Sequence, residues 1–127
     1  MADHNLPPEV IRLGLPDSFV EHGTPEELYH IVGLDAEAIK KALSCEKENV
    51  YFFMHQCLAP DAEKRHRIRN SQEVHALLAG SEKNLTVIQG HYHYGANAVI
   101  DGVKSIPLPA LCVNDTLPYM ILDTDLA

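Results

Sequence analysis

The sequence contains no tryptophan, and tyrosine and phenylalanine together make up only 6% of it. That leaves too few rings for a platform on which nucleic-acid bases could stack. Basic residues are also scarce: ten Lys and Arg stand against eighteen Asp and Glu, for a net charge of -8. A phosphate backbone needs a basic face, so nucleic acid is not an expected partner, whereas an acidic chain attracts a divalent cation. Cysteine is limited to Cys45, Cys57 and Cys112, an odd number with no C-x-x-C pair. That pattern fits neither a disulfide framework nor a zinc knuckle, and reduced thiols in a cytoplasmic protein are expected. No apolar run approaches the length of a bilayer span, and the first residues show no basic-then-apolar leader. Neither membrane insertion nor secretion is expected.

What is present is ordinary for one soluble domain: 127 residues, 46% apolar and 22% charged. Ile11, Leu13 and Leu15 alternate with Val10, Arg12 and Gly14, the pattern of a half-buried strand closed by Pro16-Asp17. Thr24, Pro25, Glu26 and Glu27 form a helix start, with a capping residue, a proline in the first turn and acids beside it. His22 lies just before it and is expected to shape the strand-to-helix turn. That helix ends at Gly33, and Asp35 caps a second one over residues 36–43 with acids in front and lysines behind. Residues 44–49 are a polar connector. Val50-Tyr51-Phe52-Phe53-Met54 then reads as a buried strand leading to His55.

Residues 59–70 are dense in charge, a solvated loop or a basic lip in which Arg65, Arg67 and Arg69 meet a phosphate group. A helix follows from Asn70-Ser71, with Val74, Leu77 and Leu78 inward, His75 outward and Gly80 as its stop. Leu85-Thr86-Val87-Ile88-Gln89 is a buried strand, and Gly90 is expected to turn the chain sharply after it. His91 and His93 then stand two residues apart. They are either two imidazoles aimed at a metal or a polar row on an exposed sheet face. Asp101-Gly102 reads as a tight hairpin turn, and a last strand is expected near 118–123.

Two resemblances follow from these residues. Arg12-Leu13-Gly14-Leu15-Pro16-Asp17-Ser18-Phe19-Val20-Glu21-His22-Gly23, with Gly33-Leu34-Asp35-Ala36-Glu37-Ala38-Ile39, closely resembles the carboxyl-terminal end of 1-deoxy-D-xylulose-5-phosphate synthase. That resemblance covers residues 1–44 and implies part of a transketolase-like third domain, which packs against another subunit. The family's thiamine diphosphate site lies in earlier domains, so that cofactor is not expected to bind here. Residues 45–127 look like the second half of calcineurin-like metallophosphoesterases: Gly90-His91-Tyr92-His93 matches their G-H-x-H motif, and His55 matches an isolated histidine after an earlier strand. The match implies His55 and His91 as ligands of one metal and His93 of another, with zinc, manganese or iron as the ion. The family's bridging Gly-Asp, its Asp-x-His and its Gly-Asn-His are absent. Without the bridge a two-metal clamp on a phosphoryl group is lost.

The expectation is therefore an α/β (or α+β) fold with a mixed sheet and two to three helices. It would resemble half a metallophosphoesterase sandwich with a βαα lead-in joined near Ser44. Strands are expected near 10–15, 50–54, 85–89, 97–101, 103–107 and 118–123. The expected function is a metallophosphoesterase-like, metal-binding protein with weak or no hydrolase activity on a phosphoester. The alternative is a non-catalytic segment of the synthase acting in subunit packing. An exposed sheet face would favour a homo-oligomer.

Overall fold

A computed structural model describes residues 9–33, 35–58, 65–92, 97–110 and 120–123. The chain divides into two compact units, Met1–Cys45 and Glu46–Ala127.

The first unit holds two short helices, α1 (Pro25–Ile31) and α2 (Ala36–Leu43). Both start where their capping residues dictate. Thr24 accepts the Glu27 amide at 3.3 Å, while the Glu27 carboxylate accepts the Thr24 amide (2.9 Å) and hydroxyl (2.8 Å). This reciprocal capping box satisfies donors that the first helical turn leaves without a partner. Gly33 takes a φ of 66°, the left-handed conformation that lets the chain leave α1 at once. Asp35 then caps α2 by accepting the Ala38 amide at 3.0 Å, and its second oxygen meets His30 Nδ1 at 2.6 Å.

The strand expected over residues 10–15 does not form: residues 9–24 contain none. Val10 and Leu15 are each 76% exposed and Phe19 is 91% exposed. Alternation makes a strand only beside a neighbour that completes its hydrogen-bond ladder. No strand of the first unit offers one among the described residues, and Gly14 and Pro16 loosen the segment further.

The second unit is an α/β arrangement of β1 (Asn49–Met54), α3 (Ser71–Ala79), β2 (Asn84–Gln89), β3 (Ala98–Ile100) and β4 (Val103–Pro107). The sheet order is β1-β2-β4-β3. β2 runs parallel to both β1 and β4, and β3 closes the far edge antiparallel to β4. The mixed sheet expected from sequence is present. β2 is its central strand, with Leu85, Val87, Ile88 and Gln89 all buried, as a strand flanked on both sides should be. Asp101 and Gly102 both have positive φ, 48° and 82°, the requirement of a two-residue hairpin turn whose twist matches its strands.

Three expectations are corrected. β1 is an edge strand, half-buried rather than buried, and Phe53 is 69% exposed on it. His75 does not point outward: its side chain is 19% exposed and its Nε2 donates to Asp101 at 3.1 Å, tying α3 to the hairpin turn. As expected, Gly80 ends α3, with a φ of -78°. Residues 120–123 form no strand; the rest of that expected strand lies outside the described residues. No helix among the described residues is long and apolar enough to cross a membrane.

Candidate functional site: an imidazole cluster at the end of the central strand

His55 and His91 follow the ends of β1 and β2, neighbouring parallel strands that place residues 54 and 89 opposite one another. Their ring centroids lie 5.0 Å apart, edge to face at 60°. His66 completes the group, 5.1 Å from His91 and 5.6 Å from Tyr92. His55 is exposed, while His66, His91 and Tyr92 are half-buried.

The backbone explains why the rings meet. The Gly90 amide donates to the carbonyls of His55 (3.1 Å) and Met54 (3.3 Å), so the ends of β1 and β2 are clamped together. The Tyr92 amide then donates to the Gly90 carbonyl at 2.7 Å, closing a γ-turn centred on His91. His91 takes a φ of 62°, a left-handed conformation uncommon outside glycine. The sharp turn expected of Gly90 is therefore made by the histidine. Nor does close packing require a glycine at position 90: a Cβ there would meet His55 Nδ1 and the His55 carbonyl at 3.5 Å, ordinary contact.

The third ring arrives through a separate tie. The Cys57 amide donates to the His66 carbonyl (3.1 Å) and the Ile68 amide to the Cys57 carbonyl (3.2 Å), a parallel bridge that brings residues 65–68 alongside the turn after β1. Cys57 is fully buried with Tyr92 packed against it. Arg65 donates its Nε–H to His66 Nε2 at 3.1 Å. An imidazole nitrogen that accepts must be the unprotonated one, so His66 carries its proton on Nδ1. That atom is buried and finds no hydrogen-bond partner among the described residues.

Of the expected metal ligands, His55 and His91 are brought together, and His93 lies outside the described residues. No three His, Cys, Asp or Glu side chains among the described residues are gathered so as to hold a metal ion. Two imidazoles fill half of a tetrahedral zinc shell, so the described residues alone do not make a closed site. Of the expected phosphate donors, Arg65 is engaged with His66, Arg67 sits half-buried in the bridge to Cys57, and Arg69 is exposed. His66 is not among the residues expected from sequence: nothing in a charged loop announces which of its residues will form an isolated bridge to the turn after β1.

No protein-family profile matches the chain. It is similar to 1-deoxy-D-xylulose-5-phosphate synthases. The match is 56% identity over 43 residues with that of Phocaeicola vulgatus, covering 34% of this chain and 7% of the relative. It is 41% over 59 residues with that of Bacteroides fragilis, covering 46% and 9%. With that of Bacteroides thetaiotaomicron it is 41% over 71 residues, covering 55% and 9%. The chain thus spans less than a tenth of the length of these relatives. The matches support the synthase-like segment and overturn the metallophosphoesterase reading as the chain's function. The named relatives are consistently synthases. An alignment of 71 residues also cannot fit within residues 1–44, so the similarity passes the expected join near Ser44.

Proposed function

We propose that this chain is a non-catalytic, carboxyl-terminal-type segment of a 1-deoxy-D-xylulose-5-phosphate synthase that acts in subunit packing. The observation that carries the reading is the 41–56% identity to such synthases over a segment that makes up only 7–9% of their length. A piece that small is suited to contributing surface rather than a complete reaction, and the reading assigns it no thiamine diphosphate site. The surface itself supports this: Val10, Leu15, Phe19 and Ile31 all stand at least 70% exposed in the first unit. Covering one such side chain stabilises an interface by about 1.5–3 kcal/mol. Sedimentation equilibrium tests the reading. The chain is expected to self-associate in the micromolar range, and Phe19→Ser is expected to weaken association roughly tenfold or more. A wild-type monomer throughout that range overturns it.

A second reading is favoured by one observation, the contact between the His55 and His91 rings. It assigns the second unit a divalent cation, zinc, manganese or iron, held by these two imidazoles with His93 as third ligand. Arg65, Arg67 and Arg69 would supply charge to an anion bound beside it. Elemental analysis of the purified chain is expected to find about one ion per chain, lost in His91→Ala, as the loss of one of three ligands predicts. Absence of metal from both proteins overturns it.

A further inference from the structure

Gln89 is the last residue of β2 and is 1% exposed, a polar side chain among Leu85, Val87 and Val103 in the core of the second unit. A buried amide destabilises unless its donors and acceptors are met. The Gln89 amide uses both of its ends: Oε1 accepts the Leu58 backbone amide at 2.8 Å, and Nε2 donates to Ser105 Oγ on β4 at 2.6 Å. The first bond crosses 31 positions in sequence and lands three residues past His55. The Gly90 amide already grips the His55 carbonyl. The turn from His55 to Leu58 is thus held to the end of β2 at both of its ends, with buried Cys57 between them.

We propose that Gln89 is the positioning residue of the imidazole cluster: by pinning Leu58 to β2 and β4 it holds His55 against His91. The inference rests on the second reading for its functional consequence and on the hydrogen bonds alone for its structural one. An apolar side chain of equal length would fill the space but leave the Leu58 amide without an acceptor, and the turn would move to find one. A glutamate in its neutral form has the same shape and the same pair of bonds.

The test uses the full chain and two readouts. One is the nuclear Overhauser contact between the ring protons of His55 and His91. The other is zinc affinity, measured by competition with a chromogenic chelator. In Gln89→Met the ring contact is expected to disappear and zinc affinity to fall about tenfold or more, with cross-strand β2–β4 contacts intact. Gln89→Glu is expected to retain both. Should Gln89→Met fail to fold, Gln89→Glu decides alone: a folded variant without the ring contact overturns the proposal. So does a folded Gln89→Met that keeps it. If wild type takes no zinc but its ring contact depends on Gln89, the positioning role stands and only the metal reading falls.

Discussion

His91 concentrates the tension between stability and placement. Its φ of 62° is a conformation that costs a non-glycine residue about 1 kcal/mol or more, and the γ-turn holds it there. His91→Gly is therefore expected to raise the free energy of unfolding by about 1 kcal/mol, read from urea denaturation, while removing the ring that meets His55 and His66. Gly90 behaves in the opposite sense. Its Cβ position is open to ordinary contact, so Gly90→Ala is expected to change stability by less than about 1 kcal/mol. The roles of these two neighbours were the least legible in the sequence. A glycine after an apolar strand reads as the turning residue, and only the clamp between Gly90 and the His55 carbonyl moves the turn on by one.

Helices were legible where their ends carry side-chain chemistry. Thr24 and Asp35 mark their starts because a short oxygen side chain satisfies the first free amides, a local effect that needs no distant partner. Thr24→Ala is expected to cost α1 about 1 kcal/mol, seen as lost ellipticity at 222 nm. Two carboxylates are held below their usual range here. Glu27 is held down by the Thr24 backbone amide and then its hydroxyl, and Asp35 by His30 and then the Ala38 amide. A carboxylate depressed in the folded state stabilises it above its unfolded pKa, and that contribution is lost as pH falls through the lowered folded value. The helical signal of the first unit is thus expected to decline on acidification through and below the usual carboxylate range. Asp35→Asn keeps the acceptor for Ala38 but not the charge, and is expected to flatten that decline. Strands were legible only in part. The hairpin at Asp101-Gly102 and the central β2 were found because turn chemistry and burial on both sides leave marks in sequence. Residues 10–15 show alternation without a ladder, and β1 is apolar at an edge, because pairing partners are a property of the whole sheet.

On the scale of the whole molecule, the α/β class and the mixed sheet followed from the order of elements, whereas the pairing of His55 with His91 was implied only by the phosphoesterase resemblance. Gln89 did not follow, since it acts through a hydrogen bond to a residue 31 positions away, and His66 did not, since an isolated bridge outside the sheet places it. The exposed Phe53 on the β1 edge gives the association expected of this chain a second place to act. Phe53→Lys is expected to weaken self-association in sedimentation if that edge takes part, because a charge on an edge strand opposes pairing.

The strand order also sets a timetable. β2 lies between β1 and β4, yet β4 is the last of the four to be synthesised. As the chain leaves the ribosome, β2 can pair with β1 while its other side remains open, until the hairpin carrying β4 has emerged. Translation at about 5–20 residues per second makes that interval roughly one to four seconds. Until then the most buried strand of the folded unit is a bare template, and a nascent chain stalled before Val103 would offer it to its neighbours.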